Sequence, residues 1–463
     1  MVHKYLCTYF FPFKKEINRM YKYFLYLVLL FINIVPNIFA QKTDSTESFP
    51  FHNFKVDSIK ISGNETTKDF VIKREMTFKE GDTVNTKVLE FNKERIFSLG
   101  IFSKVELEPK EEGDKNIILI EVKESWYIYP IPFVTIKDDN WKKLSYGINL
   151  FLQNFRGRNE KIRAHAAFGF DPNYAFSYYN PYLIYEDEIS IDAGVSYSDV
   201  QNKSNTAKYL HGGDFDQTVY GLDLTFGKRL SIYHNIFFNL SYKVIETPFY
   251  FPGISVSGDR IDHLASAGLT YVYDTRDLKQ FARSGFYLLA DFSYKGLGIN
   301  NIKYEVLNFD LRKYEKLFGD LSGKIRASTR FTFGDLVPYY DFSYLGFGDK
   351  IRGYYYNQRE GNSSFLASFE LDYPLLKDFN LNIDFIPILP KKLFSYRVAV
   401  YAEIFADAGV TKFNGEPINL KKFDSGYGAG LTFLFLPYSA FRIEYAINDR
   451  GKGQWILGFG TSF

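Results

Sequence analysis

The sequence predicts an all-β transmembrane barrel of about 16 antiparallel strands preceded by one small α+β domain, and three observations carry that reading. From residue 131 to the end, segments of roughly ten residues alternate large apolar with small or polar side chains and are separated by Gly, Asn, Asp and Pro clusters. Residues 51–124, in contrast, contain stretches of helical period. Aromatic residues make up 19% of the 463 positions, with 37 Tyr and 48 Phe, while charge stays at 24%.

Composition removes other classes. Beyond residue 40 no stretch approaches the roughly 18 uncharged apolar residues of a membrane helix, so a polytopic helical protein is excluded. The formal net charge of +2 gives no footprint for nucleic acid. Cys7 is the only cysteine, and His3, His52, His165, His211, His234 and His263 are scattered, which leaves no zinc spacing, no Cys/His pair and no disulfide framework. No cofactor is expected. A hydrolase is disfavoured, since no Gly-x-Ser-x-Gly is present, and no nucleotide-binding motif is found either.

The N-terminus reads as an export signal over residues 1–40. Lys4, Lys14, Lys15, Arg19 and Lys22 stand against the single Glu16, and Tyr23 to Phe39 then run apolar, broken only by Asn33, Pro36 and Asn37, up to a small residue at Ala40. Met20 is an alternative start, and a single membrane anchor is the alternative reading of the run. Cleavage after Ala40 would leave an exported, cysteine-free chain.

Residues 51–124 give the order strand, helix, helix, strand, strand. Lys55 to Ile61 is the first strand, ended by Ser62-Gly63-Asn64. Thr67 to Met76 and Thr86 to Leu99 carry apolar residues at helical spacing, stopped by Glu80-Gly81-Asp82 and by Gly100. Phe102 to Glu108 and Asn116 to Lys123 are strands. From residue 127 to 463 the barrel follows, because an open sheet of that length would expose its edges. Lys161 to Phe170, Leu230 to Lys243 and Val398 to Phe405 exemplify its strands. Tyr178-Tyr179, Phe249-Tyr250-Phe251 and Tyr354-Tyr355-Tyr356 suit the aromatic girdles of a barrel in lipid, with an ordinary sandwich core as the alternative. The last ten residues set Trp455, Leu457, Phe459 and terminal Phe463 on one face. That pattern looks like the C-terminal recognition signal of bacterial outer-membrane proteins.

These residues together resemble the BamA/TamA-like superfamily of outer-membrane assembly and translocation proteins (the bacterial surface antigen family), in which periplasmic POTRA modules precede a 16-stranded barrel. Residues 51–124 have the order of a POTRA module, and Ser98 to Val105 is similar to the module's stretch between its second helix and second strand. Asn154-Phe155-Arg156-Gly157-Arg158 resembles the turn of the family's first hairpin. Asp274, Arg276 and Asp277, followed by Gly285, look like the mid-barrel signature. Structural pairing at a strand start suffices to explain them. Ile351, Arg352, Gly353 and Tyr354 resemble the tip of the family's sixth extracellular loop, folded back into the lumen. The resemblance implies Glu370 and Asp407 as the arginine's partners, and Gly428-Ala429-Gly430 as the small-residue strand that follows.

Physical reasoning agrees. A loop of about 30 residues, Gly334 to Ser364, is costly to leave mobile without a role, and an Arg fork suits carboxylates in a confined lumen. On the strand around Glu370, alternation puts Ser368, Glu370 and Asp372 opposite Phe365, Ala367, Phe369 and Leu371, hence inward if the apolar face meets lipid. His211-Gly212-Gly213-Asp214 reads as polar extracellular loop.

The expected function is assembly, insertion or translocation of proteins at the outer membrane, without enzymatic chemistry, with the N-terminal domain in the periplasm. Expected partners are unfolded outer-membrane or secreted clients, outer-membrane lipid, and periplasmic or lipoprotein accessory subunits. Clients would add a strand to the POTRA sheet edge and the barrel would weaken its seam between Tyr127–Thr135 and Gln454–Phe463, with Gly458 and Gly460 weakening the pairing. A passive pore or dedicated secretion channel is the alternative. A single POTRA module, where main assembly factors carry several, points to a narrower client set.

Overall fold

Backbone pairing divides the chain near Tyr127, where short sheets with helices give way to one long antiparallel meander. The computed structural model describes residues 53–463 except 138–139, 251, 253–255, 335, 347, 356, 383–389 and 418. The export segment expected at residues 1–40 lies outside the described residues.

The N-terminal part comprises β1 (Phe54–Lys55), β2 (Ser58–Ser62), α1 (Asp69–Lys73), β3 (Thr83–Val84), α2 (Thr86–Phe97), β4 (Phe102–Glu112) and β5 (Lys115–Glu124). β5 lies between β2, its parallel partner, and β4, its antiparallel one. The pair β1 and β3 was not foreseen, because two-residue strands carry no period. Asn85 caps α2 by accepting from the Val88 N–H at 3.0 Å. The core is apolar, with Val56, Val71, Ile72, Ile96, Phe97, Ile101 and Ile118 fully or almost fully buried. The first helix is shorter than the expected Thr67–Met76, because Glu124 captures the N–H groups of Thr66 and Thr67 (2.9 and 2.7 Å) before the helix begins.

The barrel strands are β6 (Ile128–Ile136), β7 (Leu144–Phe155), β8 (Glu160–Gly169), β9 (Asn173–Ile184), β10 (Ile189–Gln201), β11 (Asp216–Arg229), β12 (His234–Glu246), β13 (Ile261–Asp274), β14 (Gly285–Lys295), β15 (Tyr304–Lys316) and β16 (Ser322–Phe333). After a loop holding β17 (Ser343–Leu345) and β18 (Arg359–Gly361) come β19 (Ser363–Asn382), β20 (Ser395–Lys412), β21 (Asp424–Leu436), β22 (Ser439–Asn448) and β23 (Gly453–Phe459). All but β17 and β18 form one 16-stranded antiparallel sheet in sequence order. No helix among the described residues is long and apolar enough to cross a membrane. The strands make the crossing, with Ile148, Phe176, Val195, Leu222, Leu269 and Ile404 exposed on the outer face.

The aromatic belt is not where the sequence suggested. Outward rings on five consecutive strands follow one another, Tyr146–Phe168, Phe168–Tyr174, Tyr174–Tyr197 and Tyr197–Tyr220, with centroids 5.2–6.1 Å apart. Tyr178 and Tyr179 lie mid-strand, and Tyr179 lines a cavity beneath the N-terminal domain. Phe249 and Tyr250 lie in the loop beyond β12, and Tyr354 is buried in the loop between β18 and β16. Phe251 and Tyr356 lie outside the described residues. A ring run marks an interface only when the strand phase is known, and loops broke that phase here.

A short helix, α3 (Asn205–His211), stands in the loop whose stretch His211 to Asp214 reads as polar extracellular loop. Ala207 and Phe215 from that loop pack with Ile302, Tyr304, Val337, Tyr339 and Phe342 in a buried apolar cluster over the extracellular end. At the periplasmic end the N-terminal domain docks on the strand turns. The turn Asn154 to Arg158 joins the second and third barrel strands rather than the first hairpin, and its job is this joint. The Gly157 carbonyl accepts from Lys68 N at 2.9 Å and the Asn154 amide donates to Thr67 Oγ1 at 2.8 Å. A Cβ at Gly157 would stand 2.0 Å from the Thr66 carbonyl oxygen, so only glycine fits. Glu75 receives Arg229 of β11 (2.9 Å) and Arg95 of α2 (2.8 Å), and Arg397 of β20 forks onto Glu94 at 2.7 and 2.8 Å.

Burial alone would raise the Glu75 and Glu124 carboxyls, but neighbouring groups outweigh it and hold both below the ordinary carboxylate range. For Glu75 these are the Arg229, Lys279 and Arg95 charges, and for Glu124 chiefly hydrogen bonds from Thr67 and Thr66. A depressed value in the docked state means stabilisation that is present above the free carboxyl value of about 4.3 and is lost as pH falls through the docked one. The joint is therefore expected to loosen below about pH 4. Spin labels at Ser62 and Asp187 should give one narrow distance distribution at pH 7 and a broad one at acid pH. Identical distributions at both would contradict the assignment.

Candidate functional site

Inward-facing positions on β19 to β22 build a carboxylate-lined slot, and the loop between β16 and β19 fills it. Alternation sends Glu370 and Asp372 of β19, Glu403 and Asp407 of β20 and Glu444 of β22 to the lumen, all buried. On β21 the same parity carries Gly426, Gly428 and Gly430. A Cβ at Gly426 would lie 1.8 Å from the Arg352 carbonyl oxygen, and one at Gly430 would lie 2.8 Å from both Glu403 and Glu444. The glycines are the floor on which the loop tip rests.

Arg352, 4% exposed, occupies the slot. Its Nε and Nη2 fork onto Asp407 at 2.7 and 2.8 Å, and its own backbone N–H donates to the same carboxylate at 2.9 Å. Nη1 donates to Glu370 at 2.7 Å and to Glu444 at 3.1 Å. The guanidinium also lies over the Phe405 ring, 3.8 Å from its centroid. Ile351 is buried with Leu345, Tyr354 and Leu366, which anchors the tip on its apolar side. Gly353, at φ +102, turns the chain where a Cβ would crowd Gly426 and Asn448. The sequence-predicted tip residues and both expected carboxylates thus come together in one place.

The tip holds the last two strands as well. Asn448 Nδ2 donates to the Gly353 carbonyl at 3.2 Å, and the Tyr354 hydroxyl donates to Asp449. In the orientation that satisfies its amide, Gln454 accepts from Gly353 N at 3.0 Å and Tyr355 N at 2.9 Å. Ser462 donates to Glu370 at 2.9 Å. That last contact corrects the expected C-terminal strand. Trp455, Leu457 and Phe459 do share the exposed outer face, but the strand ends at Phe459 and Gly460 turns at φ +82, so Phe463 is not on it. Gly460 lies beyond the paired strand, and Gly458 makes room for Arg442, whose Nε donates to the Gly460 carbonyl at 3.0 Å.

Sequence reasoning missed Glu444, Lys324 and Glu403. Their signal was available, since a charged residue inside an alternating strand must point inward in lipid, but Arg442 and Glu444 share β22 and neither matches a motif. Lys324 stands 2.9 Å from both Glu370 and Asp372. Glu370, Asp372 and Glu403 are the one grouping among the described residues with ligand atoms mutually within 4.8 Å, but the Lys324 ammonium already supplies the positive charge there.

The other signature stands apart, at the periplasmic turn between β13 and β14. Arg276 forks onto Asp274 at 2.9 and 3.0 Å. Asp277 accepts from the N–H groups of Leu278, Arg283 and Ser284, and Gly285, at φ +113, closes the turn. The turn is thereby held against the end of α2, where Lys279 N donates to Ser98 Oγ at 3.0 Å. Phe281 on the same turn reaches up to Lys324, 4.1 Å from ring centroid to ammonium. Local carboxylate bonds account for Asp274, Arg276 and Asp277, the positive φ accounts for Gly285, and the arrangement offers no nucleophile with a base.

A 16-stranded antiparallel barrel with a small α+β domain at its periplasmic mouth and a loop arginine bound in its lumen defines a class of bacterial outer-membrane proteins. The chain belongs to the Omp85 superfamily, whose domain matches residues 154–463, and the surface antigen variable number repeat, POTRA, matches residues 54–125. A stretch of 101 residues is 33% identical to the outer membrane protein assembly factor BamA of Neorickettsia risticii (strain Illinois), covering 20% of this chain and 14% of that protein. The fold is similar to BamA from Haemophilus ducreyi lacking POTRA domains 1–3, with TM-score 0.51, 19% identity and coverage of 88% of this chain and 83% of that one. It is likewise similar to CdiB from Escherichia coli, with TM-score 0.51, 12% identity and coverage of 90% and 92%. The barrel lies in the outer membrane with the POTRA domain in the periplasm.

Truncating one partner of a buried ion pair costs about 3–5 kcal/mol, because the other charge is left without compensation. Arg352→Ala is therefore expected to lower the temperature at which the folded, fast-migrating form converts on electrophoresis, with Arg352→Lys intermediate because an ammonium cannot fork. Unchanged conversion in both variants would mean that the tip is not held by these contacts.

Proposed function

We propose that the chain aids insertion of unfolded β-barrel chains into the outer membrane, the POTRA domain receiving the client and the barrel offering its seam. The observation that carries this reading is the seam itself. Sixteen strands are laddered from β6 to β23, and among the described residues no ladder joins β23 back to β6. Across the gap the Tyr129 ring packs on Tyr438, 5.4 Å between centroids, at the periplasmic end.

The obstructed lumen supports a lateral route. The loop tip sits in the lumen against β19 to β23, the apolar loop cluster covers the extracellular end, and the turn bearing Phe281 rises from the periplasmic end. A passive channel through such a lumen needs the Arg352 contacts to break, whereas parting an unladdered seam does not. The POTRA sheet leaves β2 and β4 as edges to which an extended client can add a strand, with affinity from backbone hydrogen bonds. The sequence carries no nucleotide-binding motif, so client folding supplies the driving force. The proposed partners are unfolded outer-membrane or secreted chains, the surrounding lipid, and accessory periplasmic or lipoprotein subunits. The names of the similar proteins, an assembly factor among them, fit this reading.

Cysteines at facing positions of Ile128–Ile136 and Gly453–Phe459, with Cα atoms within about 7 Å, test it. Oxidation is expected to stop acceleration of client folding in liposomes, and reduction to restore it. Full activity with the crosslink quantitatively formed would favour the channel.

A further inference from the structure

The cavity beneath the N-terminal domain, about 380 Å³ in volume, belongs neither to the Arg352 slot nor to the seam. That volume falls within the roughly 300–1,000 Å³ of small-molecule sites. Arg74, just after α1, and Arg95, on α2, line it from the POTRA side, and Lys161 of β8, Arg229 of β11 and Lys279 on the turn between β13 and β14 line it from the barrel. With Lys228, six cationic side chains stand in the lining against three carboxylates, Glu75, Glu188 and Asp274. Counting the Asp187 that Lys228 meets at 3.7 Å and the Arg276 that holds Asp274 leaves the surplus unchanged.

The three carboxylates are already committed. Glu75 is shared between Arg95 and Arg229, at 2.8 and 2.9 Å, and Glu188 takes Arg74. Asp274 sits in the Arg276 fork at 2.9 and 3.0 Å, which leaves Lys279 4.0 Å away. Lys161 makes no hydrogen bond or ion pair with any described residue. Directly opposite it on β9 is the neutral Tyr179, and the charged groups facing it are Arg163, Lys279 and, one strand further on, Asp192. Two guanidinium donors are unmatched as well. Arg95, 2% exposed, holds Nη1 buried without an acceptor among the described residues, and Arg74, with its side chain 11% exposed, holds Nε in the same state. Buried donors are ordinarily paired, and an unpaired one is costly.

We infer that this cavity is a binding site for a phosphate group, held between Arg74 and Arg95 of the POTRA domain and Lys161 and Lys279 of the barrel. The size of the surplus decides against a carboxylate, which brings a single negative charge. A phosphate ester carries about −1.5 to −2 near pH 7 and offers several acceptor oxygens to guanidinium and ammonium donors. A cleft lined by one sign of charge between low-dielectric walls also concentrates counter-ions. An anion so placed answers cations from both sides of the joint at once, so its binding tightens the docking in which Glu75 takes part. The group reaches the site either dissolved, through the periplasmic mouth, or as a lipid head group, and the chemistry of recognition is the same. Such a site serves an insertion factor and a channel alike.

The test uses the full chain in nonionic detergent micelles at physiological ionic strength. The probes are inorganic phosphate, pyrophosphate and, carried in the micelle, phosphatidic acid. Binding is read by calorimetry and by the temperature at which the folded, fast-migrating form converts on electrophoresis. Inorganic phosphate or pyrophosphate is expected to bind and to raise that temperature. Lys161→Gln is expected to weaken binding at least about tenfold, as loss of one hydrogen bond between charged groups would, and Lys161→Arg to retain it. Lys161 has no partner to strand, so Lys161→Gln without added anion should convert no lower than the unaltered chain. Lys279→Gln, from a different element, is expected to weaken binding likewise, and Lys313→Gln, an exposed charge on β15, to leave it unchanged. Binding of phosphatidic acid alone, lost in Lys161→Gln, would assign the group to lipid and support the site equally. Failure of all three probes to bind, or binding that Lys161→Gln and Lys279→Gln leave intact, overturns the inference.

Discussion

A guanidinium with almost no access to solvent must be matched by carboxylates, and the upper half of this barrel is arranged around that requirement. Arg352 brings one positive charge on a long loop, and β19, β20 and β22 each bring an acid to meet it. The acids could not stand so close without the cations, since Glu370, Asp372, Glu403, Asp407 and Glu444 are answered, among the described residues, by Arg352, Lys324 and Arg442. Buried ion pairs of this kind add little net stability over an apolar packing, but they are highly specific, because removing either partner strands the other. The loop therefore has one seat, and taking it fixes Gly353, Tyr354 and Tyr355 against the last two strands.

Two consequences run outward from that seat. Towards the C-terminus, contacts from the tip to Asn448, Asp449 and Gln454 stiffen β22 and β23, which have no ladder beyond them. Towards the periplasm, Lys324 sits between Glu370 above and the Phe281 ring below, and the turn that carries Phe281 is bound to the end of α2. Packed groups thus run without a break from the extracellular loop to the POTRA domain.

Much of this was legible in the sequence because lipid enforces a two-residue period. Alternation gave the strand number and placed Glu370 inward, and the Arg-Gly tip with its two acids was recognisable as a motif. What escaped was information that depends on phase rather than composition. Glu444 looked like any charge in a strand. The rings at 178–179, 249–251 and 354–356 carried no mark of whether a loop or an interface held them, and Tyr354 went to the lumen. Phe463 was placed on the terminal strand by extending the period across Gly460, a residue whose positive φ ends it.

The central claim is that the Arg352 seat holds the closing strands in place, and amide hydrogen exchange on Arg352→Lys tests it most directly, since the charge stays and only the fork is lost. The account predicts faster exchange at Gly353 and Tyr355 and through β22 and β23, with β8 to β14 as protected as in the unaltered chain. Uniform acceleration around the barrel, or none in the last two strands, would contradict it.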